Sequence, residues 1–249
     1  MRLDEEYCLS EYVDLGRLGD NEKVHIVRNQ VNGVIGVRKY VALDLEEIYL
    51  FLKENPNAYI PKIYECIQTD TNLIVIEEYL SGKNLEEMLK EKYFSEKDAA
   101  DIIICLCNAL YPLHHAKMPV ICRDLKAENV ILTNEGEVKL VDFDIARIYQ
   151  PGKSKDTVMM GTQGYAAPEQ FGFGQTDART DIYAMGVLLN YMLVREFPME
   201  KLTEGKFRTI VLKCIKINPE DRYQNVDELK ADICNAAEIP CSSMDSDKN

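Results

Sequence analysis

The sequence predicts an α+β protein in which a small strand-rich part precedes a larger, mainly helical part. Three observations carry that expectation. β-Prone runs separated by turn signals fill the first eighty residues, the hydrophobic periodicity turns helical after Gly82, and a length of 249 residues suits one domain or two small ones. With 46% hydrophobic and 29% charged residues, disordered, collagen-like and disulfide-scaffold classes are excluded.

The predicted strands are 23–29, 34–41, 63–68 and 72–79, punctuated by the hairpin signals Asn32-Gly33 and Thr69-Asp70-Thr71-Asn72. One helix interrupts them. Asp44 is placed to cap it, with Glu47 three residues later, and Leu45, Ile48 and Leu52 recur at helical spacing until Asn55-Pro56 ends the pattern. Ser95-x-x-Asp98 opens a long amphipathic helix carrying Ile102, Ile103, Leu106, Leu110 and Leu113, and further helices are expected over 181–193 and 226–237. The seam falls near Ser81-Gly82. The expected organisation is therefore a strand-rich first part over 1–80, a helical part over 81–238 and a polar tail over 239–249.

A formal net charge of −13 repels phosphate backbones and anionic lipid, so nucleic acid is not an expected partner. The most apolar stretch, 102–113, is far shorter than the ~20 residues that span a bilayer, so no membrane insertion is expected. Acidic residues in MRLDEEY at the start stand where a signal peptide needs a basic and then an apolar region, which points to a cytoplasmic protein. The eight cysteines include no C-x-x-C pair and read as reduced thiols without a zinc site.

The sharpest chemical signal is Cys122-Arg-Asp-Leu-Lys-Ala-Glu-Asn129, followed thirteen residues later by Asp142-Phe-Asp144. Alone, Asp124 would read as a solvated turn residue. Together the carboxylates, ammonium and amide suit phosphoryl transfer, which needs a hydroxyl oriented, Mg²⁺ held on phosphate oxygens and developing charge offset. The pattern resembles the protein kinase family, with its H-R-D-L-x-x-x-N and D-F-G motifs. The resemblance extends over about residues 12 to 235.

That resemblance implies a bilobal kinase-like fold, with a small sheet lobe bearing one helix and a larger helical lobe. It implies Asp124 as catalytic base, Lys126 as the phosphate-side cation, and Asn129 and Asp142 as ligands of Mg²⁺ or Mn²⁺. Lys126 and Thr162, in Gly161-Thr-Gln-Gly-Tyr-Ala-Ala-Pro-Glu169, imply serine/threonine specificity. Lys39 lies on one face of its strand with Ile35, Val37 and Val41, where a lysine needs an anionic partner. The resemblance implies that Glu47, or else Glu46, supplies it; a snorkelling Lys39 and a merely capping Glu47 are the plainer readings.

For ATP, the resemblance implies a glycine-rich loop at Leu15, Gly16 and Gly19, with Glu22 where a third glycine belongs. Val24 and Val37 would roof the adenine, Ile131 would floor it, and the backbones of Glu78 and Leu80 would hydrogen-bond it. Glu77 then takes the gatekeeper position, usually apolar. Lys39, Asp124, Asn129 and Asp142 are expected to converge on one triphosphate. Glu169 and Arg222 would form a buried ion pair, Asp181 would cap the catalytic-loop backbone, and Ser154 and Thr157 are candidate phosphorylation sites paired with Arg123. Cys122 replaces a histidine or tyrosine, and Asp144 replaces a glycine, which is expected to restrict the loop rather than abolish activity.

The expected function is ATP-dependent transfer of a γ-phosphoryl group to serine or threonine hydroxyls of proteins, this chain among them. Gly-Tyr-Ala-Ala-Pro-Glu-Gln gives the resemblance a bacterial cast. The alternative is a pseudokinase acting as a nucleotide-binding or scaffolding module; a small-molecule phosphotransferase is a third reading.

Overall fold

A computed structural model describes residues 3–19, 22–152, 160–172 and 174–241. The chain divides into two compact units, residues 1–81 and 82–249.

The first unit begins with helix α1 (Leu3–Ser10) and is built on a five-stranded antiparallel sheet of β1 (Tyr12–Arg17), β2 (Val24–Asn29), β3 (Ile35–Val41), β4 (Ile63–Gln68) and β5 (Leu73–Glu78). The spatial order is β1-β2-β3-β5-β4, so β3 and β5 are bonded on both sides. The two turn signals become tight turns. Gly33 sits at φ 75°, the left-handed region glycine reaches without strain, while Asn29 Oδ1 accepts from the N–H groups of Val31 and Asn32. The Thr69 and Asn72 backbones close the other turn at 2.9 Å. Strand β1 lies where only the degenerate glycine loop was anticipated. Its sequence does not alternate cleanly, because a bulge at Asp14/Gly16 breaks the register.

Helix α2 (Glu46–Glu54) buries Ile48, Tyr49 and Leu52 and packs on β4. Its expected cap is corrected: Asp44 lies inside a short 3₁₀ turn, Leu43–Leu45, and Leu45 occupies the cap position without a side-chain bond. A residue already in a helical turn is not in the extended conformation a side-chain cap needs.

The second unit contains α3 (Leu85–Glu91), α4 (Glu96–His114), α5 (Ala178–Val194), α6 (Lys206–Cys214) and α7 (Val226–Ala237). It also carries two small sheets, β6 (Gly82–Asn84), β8 (Val130–Thr133) and β9 (Val138–Leu140) in one and β7 (Val120–Ile121) with β10 (Arg147–Ile148) in the other. Ser95 and Asp98 form the predicted capping box of α4, each side chain bonded to the other's backbone N–H. Helix α5 is buried on nearly every side, as its continuous apolar sequence requires. A side chain at Gly186 of α5 would collide with Cβ of Cys214 on α6; glycine there permits the close crossing. Among the described residues, no helix is long and apolar enough to cross a membrane.

Candidate functional site

In the first unit, the bulge in β1 turns the chain at Gly16, whose φ of 133° suits glycine, and its N–H donates to Asp14 Oδ1 at 2.8 Å. Leu18 N–H donates to Val24 carbonyl at 2.9 Å beyond the strand end. Gly19 lies at φ 67°. Glu22 is exposed and pairs with Arg17 at 3.2 Å across the loop. Leu15 is exposed, Val24 half-buried and Val37 buried. At the other end of the sheet, the Glu78 N–H already donates to the Lys62 carbonyl at 2.8 Å, so that donor is committed within the sheet. Leu80 is half-buried.

The anionic partner of Lys39 is corrected. Its Nζ lies 2.5 Å from Glu77 Oε1, with side chains 14% and 8% exposed. Glu47 is exposed at the start of α2 and Glu46 is half-buried. The cause is the sheet register. Lys39 stands opposite Val75 and Val37 opposite Glu77, so Lys39 and Glu77 are diagonal neighbours on one face of β3 and β5. The unusual acid at position 77 thereby acquires a structural reason: a lysine buried on an apolar face needs a carboxylate, and β5 supplies it.

In the second unit the Cys122–Asn129 segment follows β7 and is held by α5. Asp181, fully buried, accepts from the N–H groups of Cys122 at 3.0 Å and Arg123 at 2.8 Å. His114 Nε2 lies 2.8 Å from the same carboxylate, a partner that sequence reasoning missed. Its signal was a polar residue ending an otherwise apolar helical pattern. Arg123 adopts φ 68°, and Gln170, also overlooked, donates to its carbonyl at 2.9 Å. Burial, followed by the Asp181 charge, pushes the Cys122 thiol well above its ordinary range, so it stays protonated and acts as core.

This support fixes a compact polar cluster. Asp124 Oδ2 accepts from Lys126 Nζ at 2.7 Å and from Asn129 Nδ2 at 3.0 Å, while Oδ1 accepts from the Thr162 hydroxyl at 2.7 Å. Lys126 Nζ also donates to Thr162 Oγ1 at 3.1 Å. Asn129 Nδ2 makes a further bond to the Asp124 carbonyl at 2.9 Å, so its amide nitrogen is spent on Asp124 and its Oδ1 is turned away as an acceptor. Asp142 lies at φ 69° beside buried Phe143. Its Oδ1 accepts from the Asp144 N–H at 3.1 Å, and the turn closes with Ala146 N–H on the Phe143 carbonyl at 3.0 Å.

The left-handed residue of this segment is Asp142, and Asp144 is an exposed turn residue outside the positive-φ set. Ile131 is half-buried on β8. Ser154 and Thr157 lie outside the described residues.

Farther along, Arg222 forks onto Glu169 at 2.7 and 2.9 Å, with side chains 0% and 5% exposed. Its remaining donors reach the carbonyls of Lys216, Ile217 and Arg179, and Thr180 Oγ1 donates to Glu169 at 2.9 Å.

The protein kinase domain family matches residues 29–243, well over half of the chain. The chain is 32% identical to the probable serine/threonine-protein kinase PknB of Corynebacterium glutamicum over 64% of its length and 29% of the relative. It is 28% identical to serine/threonine-protein kinase PknB of Mycobacterium tuberculosis, covering 93% of this chain and 43% of that one. The chain thus spans less than half the length of these curated relatives. A five-stranded sheet unit followed by a mainly helical unit is the architecture expected of their kinase domains, and this chain belongs to the protein kinase domain family.

Proposed function

We propose that the chain is an ATP-dependent protein kinase that transfers the γ-phosphoryl group to serine or threonine hydroxyls of protein substrates. The observation that carries this reading is the cluster on Asp124. One carboxylate oxygen faces the Thr162 hydroxyl and the other an ammonium and an amide, so the group is oriented beside a cation. In the reaction, Asp124 accepts the proton of the attacking hydroxyl, and its bond from the Thr162 hydroxyl supports that role. Lys126 offsets the charge that grows on the phosphoryl oxygens. Lys39 orients the nucleotide phosphates.

The donor set fits a divalent ion. Asn129 Oδ1 and the Asp142 carboxylate are hard oxygens suited to Mg²⁺, and among the described residues no cluster of three or more His, Cys, Asp or Glu forms a cage of protein ligands alone. When bound, Mg²⁺ would neutralise phosphate charge and align the transferring group.

Incubation with radiolabelled ATP, Mg²⁺ and a generic basic protein tests the proposal. Label should enter the substrate with the wild type and be lost with Asp124→Asn. A second reading, a nucleotide-binding or scaffolding module without transfer, is favoured by one observation, the Glu22 carboxylate in a loop that keeps only Gly16 and Gly19. Stabilisation by ATP without any incorporation would select it.

A further inference from the structure

We propose that Glu77 of β5, and no acid of α2, is the positioning residue that holds Lys39 for the nucleotide phosphates. This rests on the nucleotide reading above and names the group that orients its cation. Three features of the first unit carry it. The 2.5 Å contact is nearly enclosed, with both side chains at most 14% exposed, so water competes weakly for either charge. Both residues stand on strands bonded on both sides, which fixes their Cα positions more firmly than a helix start can. Helix α2 is tied elsewhere. Lys53 of α2 pairs with Glu65 of β4 at 3.0 Å, its apolar face packs on that edge strand, and its first turn has no side-chain cap, with Glu47 exposed.

Two opposed effects of Glu77 have to be weighed. Its negative charge partly cancels the field of Lys39 and so weakens phosphate attraction, whereas its hydrogen bond selects one rotamer of a long, flexible side chain. For a lysine held on a rigid sheet, orientation is expected to win, because a charge-assisted bond to phosphate demands a defined Nζ position. Glu77 therefore serves phosphate binding through Lys39, while base recognition is independent of it.

Titration calorimetry with the Mg²⁺ complex of a non-hydrolysable ATP analogue, and separately with adenosine, tests this on the full chain. Glu77→Gln should weaken the analogue about tenfold or more and leave adenosine within about twofold. The double variant Glu46→Gln/Glu47→Gln should bind both like wild type. Lys39→Met should be weak toward the analogue, and Lys39→Met/Glu77→Met no weaker than it, since Glu77 has nothing left to position and only its repulsion is removed; the apolar pair also guards against a misfolded single variant. Equal losses toward both ligands, tighter analogue binding by Glu77→Gln, or a loss in the Glu46/Glu47 variant instead would each overturn the proposal. A wild type that binds the analogue in this Glu77-dependent way yet transfers no phosphate would sink the kinase activity and leave the positioning role standing. A wild type that binds no nucleotide would sink both.

Discussion

At the residue scale, the cluster on Asp124 divides its work between its partners. Thr162 donates to one carboxylate oxygen and accepts from Lys126, so it couples Asp124 to Lys126 from a segment 38 residues away. Removing its hydroxyl deprives the Asp124 carboxylate of one bond, worth roughly 1.5–3 kcal/mol for a bond to a charged-type group. Thr162→Ala should lower kcat about tenfold or more with little change in KM for ATP, and Thr162→Ser should recover most of it. Steady-state kinetics at saturating ATP checks this; a loss confined to KM would remove Thr162 from the reaction centre. Asp124, Lys126 and Asn129 were legible in the sequence because their spacing is local and their chemistry is specific, and Thr162 through the family resemblance of its own segment. The partner of Lys39 was not. Two residues of the strand pair β3 and β5 meet only through a register that no single segment encodes, and a helix acid eight positions away looked the nearer choice.

At the scale of elements, the helix starts show which local signals can be trusted. Ser95 and Asp98 combine an extended cap residue with two reciprocal bonds, and α4 begins where the motif predicts. Asp44 also stands three residues before an acid, but it lies inside the Leu43–Leu45 3₁₀ turn rather than in the extended conformation a side-chain cap needs, and the cap does not form. The α4 box has a measurable signature. The Ser95 hydroxyl, followed by the Ser95 N–H, holds the Asp98 carboxyl below its ordinary value. A depressed folded-state value means the contribution is present at pH above the unfolded value, about 4, and fades as the pH falls through the lower folded one. Ser95→Ala should therefore cost about 1 kcal/mol near neutrality. Urea denaturation of Asp98→Asn should show its deficit at pH 7 and converge on wild type as the pH drops below about 4; a deficit constant over that range would assign the effect to helix propensity instead.

At the scale of the molecule, the helical unit depends on ties between segments far apart in the chain, and Arg222 makes several of them. Its five donors are all used: two on Glu169, one each on the carbonyls of Lys216, Ile217 and Arg179. The predicted pairing of Glu169 with Arg222 rested on resemblance, and nothing in the spacing foretold the three carbonyls, which face inward only once α5, the α6 end and the 219–221 turn have met. Those carbonyls change the energetics. Breaking a buried ion pair from one side costs about 3–5 kcal/mol, whereas replacing both partners with apolar groups is often neutral. Here the apolar replacement would strand three buried acceptors, each worth roughly 1–3 kcal/mol if left unsatisfied. Arg222→Ala should thus lower stability by about 3–5 kcal/mol, and Glu169→Met/Arg222→Met should recover only part of it, unlike a bare ion pair. Arg222→Lys should also fall well short, since an ammonium has three donors for five positions. Equilibrium urea denaturation of the three variants decides the matter: full recovery in the methionine pair would mean that the carbonyl bonds carry no weight, and that Glu169 alone sets the need for arginine at 222.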